Sequence, residues 1–282
     1  MKKVTQILVF SSLFVSMLLA HVSTSAQNIK PDADNAGLTL PKGFAALKVA
    51  DNLGRTRHIV VNKQGAIYAK LERLDNGKGI LVLKDTDGDG RAETKTSFGN
   101  YTGTGIAIKG NFLYASSNKE VFKYALNDNG DIVDENAAAT TVTGLVDKGQ
   151  HNSKSITLDN AGNIYVNVGA PSNSCQEKDR TKGSMGMMPC PILDSAGGIW
   201  QFKVDQLNQS YASGVRYATG LRNVVGLDWN NQLNQLFVTQ HGRDMLNNLF
   251  PDLYDTTTSA ELPSETMYAI KKGDNAGWPY VY

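Results

Sequence analysis

The chain has 282 residues, with 28 Lys and Arg against 27 Asp and Glu, and its formal net charge is +1. This balance excludes a protein whose main partner is nucleic acid, because neutralising phosphates requires a strong basic excess. The 27 glycines, together with the lack of long charged helical patterns, indicate a turn-rich β protein.

The first 26 residues have the composition of a secretory signal peptide. Residues 1–3 are basic, residues 7–20 are apolar but too few to span a bilayer, and residues 24–26 offer small side chains for cleavage. The alternative is a buried N-terminal helix. We expect a periplasmic or secreted protein with no membrane span after signal removal. Residues 27–39 are predicted to be a flexible leader, and residues 40–282 a folded domain.

From residue 40 onward the sequence repeats a cycle of four short strands. Each cycle has a strand of alternating apolar residues, a tight turn, and a strand centred on an aliphatic–aromatic pair. These pairs are Ile67 and Tyr68, Leu113 and Tyr114, Ile164 and Tyr165, and Leu236 and Phe237. Third strands are predicted at 80–83, 121–124, 199–202 and 267–270, and outer strands at 94–98, 140–145 and 215–221. The cycle predicts an all-β fold, a β-propeller of four-stranded antiparallel blades, rather than a sandwich.

About four blades can be traced before the sequence stops at Tyr282. A propeller closes on itself to protect its strand edges. The pattern therefore predicts either a four-bladed ring or a sequence that is incomplete at its C-terminus, and we favour the second.

Two cysteines, Cys175 and Cys190, flank a loop rich in glycine and methionine. In an oxidising compartment this arrangement predicts a disulfide. A metal site is disfavoured because no histidine lies between them.

An acidic turn contains Asp85, Asp87 and Asp89, separated by small or polar residues. Alternate carboxylates with glycines suit a structural Ca²⁺ ion, although Thr96 at the twelfth position excludes an EF-hand. A solvated turn between two outer strands is the equal alternative.

His151 precedes the innermost strand of the third blade, where propeller loops open onto one end of the central channel. An imidazole there is a candidate general base, and the alternative is a residue that caps a strand end. Arg222 and Asn223 precede the innermost strand of the fourth blade, as His151 does in the third. They could stabilise an oxyanion and bind a planar polar ligand, or Arg222 could form a surface salt bridge.

The loop that follows the second strand of the fourth blade contains Gly242, Arg243 and Asp244. A glycine between charged residues allows backbone carbonyls to turn toward a cation. The alternative is an ordinary turn within a blade.

Taken in order, these motifs resemble the glucose/sorbosone dehydrogenase family of soluble quinoproteins, which are six-bladed propellers. The motifs are LPKGF at 40–44, the turn at 85–90, HNSK at 151–154, SNSCQE at 172–177, PCP at 189–191, GLRN at 220–223, HGRD at 241–244 and GWPY at 277–280. The resemblance runs from about residue 40 to the end, and about four of the expected six blades are present.

The resemblance implies oxidation of a sugar or sugar aldehyde, with pyrroloquinoline quinone (PQQ) as hydride acceptor and a quinone or cytochrome as the later electron acceptor. His151 would take the substrate proton, and Arg222 would stabilise charge on the quinone. Asn223 and Lys154 would bind the cofactor, and the loop at 242–244 would bind it together with a Ca²⁺ ion held by the carbonyls of Gly242 and Arg243.

Two positions depart from the family pattern. Gln150 stands where glucose-oxidising relatives have an acidic residue, and the loop at 102–105 (TGTG) offers only a hydroxyl where relatives can offer a larger polar side chain. The alternatives are a non-catalytic propeller that binds carbohydrate or protein, and a calcium-dependent lactonase-type hydrolase. The hydrolase is disfavoured because it requires several carboxylates at the channel.

Overall fold

The computed structural model describes residues 29–262 and 265–281, and the predicted signal peptide lies outside these residues. Among these residues, four sheets of mainly antiparallel strands follow one another along the chain. The first blade contains β1 (Thr56–Val61), β2 (Ile67–Asp75), β3 (Lys78–Lys84) and β4 (Thr94–Phe98). The second contains β5 (Ile106–Lys109), β6 (Phe112–Ser116), β7 (Val121–Ala125) and β8 (Ala139–Val142). The third contains β9 (Ile156–Leu158), β10 (Asn163–Val168), β11 (Gly198–Lys203) and β12 (Val215–Thr219). The fourth contains β13 (Val224–Asn230), β14 (Gln235–Gln240) and β15 (Thr266–Ile270).

This architecture confirms the predicted β-propeller fold. Two outer strands end earlier than predicted. The second blade's outer strand stops at Val142 because the amide of Thr143 donates to the carbonyl of Gln209, 2.8 Å away, which draws the chain toward the third blade. The third blade's outer strand stops at Thr219 because Gly220 follows with a φ of +71°, which ends the extended conformation.

The hydrophobic cores lie between adjacent blades, and the aliphatic–aromatic pairs explain how. Successive side chains of a strand point to opposite faces of its sheet. Leu113 therefore packs in the cluster between the first and second blades, and Tyr114 packs between the second and third. Ile164 and Tyr165 repeat this division one blade later. These two pairs fasten the second and third blades to both of their neighbours.

Short elements complete the fold. β16 (Asp274–Asn275) adds to the third blade as a parallel partner of β12. The helices α1 (Leu246–Leu249) and α2 (Thr256–Glu261) lie between β14 and β15, and two 3-10 turns span Asn35–Gly37 and Pro191–Asp194. Asp32, in the predicted leader, pairs with Arg91 of the first blade at 2.6 Å. Among the described residues, no helix is both long enough and apolar enough to cross a membrane.

Candidate functional site

The innermost strands β1, β5, β9 and β13 surround a central cavity of about 640 Å³. A second cavity, of about 150 Å³, lies where the chain enters these strands, and every blade contributes to it. We call it the His151 cavity; its lining residues are Arg57, Thr104, His151, Asn152, Ser153, Ser155, Asn223, Val224 and Val225. Two residues singled out in the sequence, His151 and Asn223, therefore meet at one cavity.

His151 is held in a defined tautomer. Its Nδ1 lies 2.6 Å from the carbonyl oxygen of Ala170. A carbonyl oxygen can only accept, so Nδ1 carries the hydrogen and Nε2 keeps a lone pair. The residue has a φ of +56°, in the left-handed region that side chains rarely adopt. An unusual backbone conformation held by its surroundings is typical of functional sites.

Gly169 makes this conformation of His151 sterically possible. A Cβ atom at position 169 would lie 2.6 Å from the Cβ of His151 and 2.7 Å from its carbonyl oxygen. It would also lie 3.0 Å from the Oδ1 of Asn223. Any side chain at this position would push His151 away from the cavity.

Burial lowers the pKa of His151 to about 4. The hydrogen bond to Ala170 opposes this shift, and the positive charges of Arg222 and Arg180 add to it. The imidazole is therefore neutral at neutral pH, with Nε2 ready to accept a proton.

Lys154 lies outside the residues that line the His151 cavity and is fully buried. Its ammonium donates to the carbonyl of Asn152, and its own carbonyl accepts from the hydroxyl of Ser116 at 2.5 Å. Burial lowers the pKa of Lys154 to about 8. In this arrangement Lys154 braces the turn that presents His151, and its predicted contact with a cofactor stays a prediction.

Arg222 is 3% exposed and lines a different small cavity, of about 50 Å³, together with Gly242 and Arg243. Its Nη1 donates to the carbonyl of Gly242 at 2.7 Å. Its Nη2 and Nε donate to the side-chain and main-chain oxygens of Asn173, at 2.9 and 3.2 Å. The guanidinium thus joins the loop at 242–244 to the cystine loop.

Asp244 lies in an ion-pair network with two arginines. Arg180 contacts its carboxylate with two nitrogens, and Nη2 of Arg222 lies 3.6 Å from Oδ2. Burial raises the pKa of Asp244, but the hydrogen bond from Arg180 and the charge of Arg222 outweigh it and lower the pKa. The Nε of Arg180 also donates to Oε1 of Gln150 at 2.9 Å, which ties the residue before His151 to the network.

Three residues of this network were not singled out from the sequence: Asn173, Arg180, and Asp179, which accepts from the amide of Asn173 at 2.9 Å. Asn173 is fully buried and bonds to Arg222, to the backbone of Asp244 and, through its carbonyl, to the indole of Trp278 at 2.9 Å. The only sequence signal was their position in or beside a motif next to Cys175. Polar residues in irregular loops have no periodicity that would reveal such contacts.

The predicted disulfide between Cys175 and Cys190 is present, with a Cα–Cα distance of 6.2 Å. Both cysteines are buried in a small cluster with Ala170 and Trp278. The disulfide therefore fixes the loop that carries Asn173 and Arg180.

The carbonyl of Gly242, predicted to hold a cofactor-associated Ca²⁺, lies in surroundings that oppose that ion, and the same role for the carbonyl of Arg243 stays a prediction. Calcium requires six to eight oxygen ligands, usually including carboxylates. The carbonyl of Gly242 already accepts from Arg222, and the adjacent carboxylate of Asp244 is engaged by Arg180 and Arg222. The local excess of guanidinium charge opposes a divalent cation, and we assign no step to calcium here.

At the acidic turn, the carboxylates of Asp85, Asp87, Asp89 and Glu93 have oxygens within 4.8 Å of one another. Asp85 also accepts from the amides of Gly88 and Gly90, at 2.6 and 2.8 Å, as expected for a turn without an ion. Both alternatives stay open, and structural calcium stays a prediction.

The His151 cavity fits a polar ligand. Thr104 Oγ1 and Asn152 Oδ1 are buried and, among the described residues, have no hydrogen-bond partner. Buried polar atoms without partners are costly, so a ligand that bonds to them would be favoured. Asn223 adds an amide to the same wall. The hydroxyl of Thr104 and the amide nitrogen of Asn223 can donate to the carbonyl and carboxylate oxygens of a planar quinone such as PQQ, and the oxygen of Asn152 can accept from an N–H or hydroxyl of a ligand.

The blades and the His151 cavity define an all-β propeller with a polar site where the inner strands begin. The TrAA12-like family model matches residues 38–281, and the chain belongs to this family. A curated relative, the pyrroloquinoline quinone-dependent sugar dehydrogenase of Hypocrea jecorina, is 23% identical over 277 residues. The alignment covers 92% of this chain and 61% of the relative.

Two solved structures show the same fold. A Carbohydrate-Active Enzymes Family AA12 structure from Trichoderma reesei has a TM-score of 0.63 and 20% identity, covering 82% of this chain and 55% of that chain. The PQQ domain of pyranose dehydrogenase from Coprinopsis cinerea has a TM-score of 0.59 and 19% identity, covering 73% of this chain and 48% of that chain. The chain thus spans between 48% and 61% of the length of these relatives.

Proposed function

We propose that this chain contributes the catalytic base and part of the cofactor cavity of a PQQ-dependent oxidoreductase that oxidises a sugar or sugar aldehyde. The observation that carries the proposal is the anchored His151, whose Nε2 lone pair is available beside a polar cavity. The names of the curated relative and of the Coprinopsis cinerea domain support the choice of quinone and substrate class.

His151 would accept the proton of the sugar hydroxyl at Nε2 as the carbon that bears it is oxidised. Bound PQQ would supply the two-electron acceptor for the hydride from that carbon. Thr104, Asn152 and Asn223 would orient the bound groups through hydrogen bonds. The charge of Arg222 would disfavour protonation of His151 before the substrate arrives, because like charges repel.

We also propose export to an oxidising compartment, and the buried Cys175–Cys190 disulfide supports this. A soluble quinone or a cytochrome would then reoxidise the cofactor.

The test is titration of the purified protein with PQQ, followed by tryptophan fluorescence, and then dye reduction across a panel of aldoses and sugar aldehydes. Saturable PQQ binding with sugar-dependent dye reduction supports the proposal, and no PQQ binding refutes it. Carbohydrate binding without PQQ binding would instead favour the non-catalytic propeller. The hydrolase has no support at the His151 cavity, because the described residues that line it include no carboxylate.

A further inference from the structure

Arg57 stands at the junction of two cavities, lining both the His151 cavity and the central cavity. It lies in β1, at an irregularity in the pairing with β2. Thr56 pairs with Leu71 and Ile59 pairs with Ala69, so one strand spans three residues where the other spans two. A β-bulge of this kind redirects side chains and is common beside functional sites.

A second bulge lies beside the same cavity, in the fourth blade. In the pairing of β13 with β14, Val224 faces Gln240 and Gly226 faces Thr239, which leaves Val225 as the extra residue. Val225 also lines the His151 cavity. The first and fourth blades thus both depart from regular pairing beside the His151 cavity, where the bulges redirect the side chains of the wall.

Among the described residues, the guanidinium of Arg57 has few polar partners. Its one ion-pair contact there is Glu72, with Nη1 3.7 Å from Oε2, beyond hydrogen-bond length. Glu72 is shared, because its Oε1 accepts from Arg55 at 3.2 Å. A guanidinium has five N–H donors, so most of those of Arg57 remain available.

The charges around Arg57 favour an anionic ligand. The carboxylate of Glu72 pairs with both Arg55 and Arg57. The described residues that line the His151 cavity include no further carboxylate. Burial lowers the pKa of the adjacent His58, with the charge of Arg57 adding to the shift, so His58 supplies no competing cation at neutral pH. The side chain of Arg57 is 36% exposed, which keeps its donors accessible from the cavity.

We propose that Arg57 binds a ligand carboxylate in the His151 cavity. This inference rests on the proposed function and adds a recognition group for an acid. Arginine binds carboxylates through two parallel hydrogen bonds, and Thr104 Oγ1 is a further group on the same wall without a partner among the described residues. The carboxylate can belong to the quinone or to an acidic sugar of the uronic acid class.

The test compares Arg57→Gln with Arg55→Gln, which removes the neighbouring guanidinium that also pairs with Glu72 but does not line the cavity. Thermal unfolding first establishes that both variants are folded. Binding of PQQ and of D-glucuronate is then measured by calorimetry on each protein, at low and high salt, with D-glucose as the neutral control sugar.

A loss of roughly tenfold or more in affinity for PQQ in Arg57→Gln alone identifies the cofactor as the source of the carboxylate. A loss of affinity for D-glucuronate alone identifies the acidic sugar as the source of the carboxylate. Arg57→Lys should retain part of the affinity that Arg57→Gln loses, because lysine keeps the positive charge but lacks the parallel donors of the guanidinium.

Equal affinities in wild type and Arg57→Gln overturn the inference and leave the proposed function standing. If Arg57→Gln loses affinity but the wild type shows no dye reduction, the inference stands and the proposed function is overturned. Wild-type protein that binds neither ligand overturns both.

Discussion

The Nδ1 of His151 lies 2.6 Å from the carbonyl oxygen of Ala170, and this contact fixes which ring nitrogen carries the hydrogen. The amide of Ala170 in turn donates to the carbonyl of Arg222 at 2.7 Å. One backbone residue thus connects the candidate base of the third blade to the buried arginine of the fourth.

The lowered pKa of His151 predicts how activity depends on pH. An imidazole with its ordinary pKa of about 6.5 would lose its base form below pH 6.5. With a pKa of about 4, His151 stays unprotonated, so kcat/KM should not fall near pH 6.5 and should decline only toward pH 4. A pH–rate profile checks this, and an acid limb with an apparent pKa near 6.5 would contradict it.

The same shift has a consequence for stability. Between about pH 4 and 6.5 the unfolded chain binds a proton at His151 that the native state does not, so stability rises with pH across this window. Its contribution is complete above the unfolded pKa and is lost as pH falls through the folded pKa. Urea unfolding at several pH values should give a shallower slope for His151→Gln than for wild type.

Gly169→Ala should impair the site without removing a functional group. The new methyl would lie 2.6 Å from the Cβ of His151, and such overpacking typically costs about 1–3 kcal/mol. We expect a large fall in kcat and a modest loss of stability. Gly186→Ala is the matched control, because a Cβ there meets nothing within 4 Å. Unchanged kcat in Gly169→Ala would show that His151 tolerates displacement.

Removing the disulfide should destabilise the protein and loosen the loop that holds Asn173 and Arg180. Cys175 and Cys190 are 15 residues apart in sequence, and closing a loop of this size stabilises a protein by about 3 kcal/mol. Differential scanning calorimetry of the Cys175→Ser and Cys190→Ser double variant should show a lower Tm. A Tm equal to that of wild type would mean that packing alone holds the loop.

Arg222→Lys should reduce stability even in protein without cofactor. Lysine cannot reproduce the bonds to Asn173 and Gly242, and breaking a buried ionic network typically costs about 3 kcal/mol or more. Urea unfolding measures the loss, with Arg73→Lys on the exposed side of β2 as the control. A loss of activity with no loss of stability would instead assign Arg222 a role confined to chemistry.

The blades could be predicted from sequence because each is specified locally. The pair of Leu113 and Tyr114 marks a strand that packs on both faces, and the same pattern recurs in every blade. The parallel addition of β16 to β12 was not predicted, since it joins segments that are far apart in the chain and the two-residue strand has no pattern of its own.

The candidate site was predictable only in part. His151 and Asn223 could be placed because both lie in the loops that lead into innermost strands, β9 and β13. The network of Asn173, Arg180 and Asp244 joins loops separated by 64 to 71 residues, and its members have no regular spacing. Arg57 was not singled out from the sequence, because a bulge is not visible in an alternating pattern.

The most direct test of the central claim is dye reduction by His151→Ala loaded with PQQ, measured beside wild type and His58→Ala. His58 lines the central cavity and not the His151 cavity, so its variant serves as the control. Loss of a general base predicts a fall in kcat of about 10²- to 10⁴-fold in His151→Ala, with PQQ affinity and Tm preserved. Wild-type kcat in PQQ-loaded His151→Ala would contradict the account.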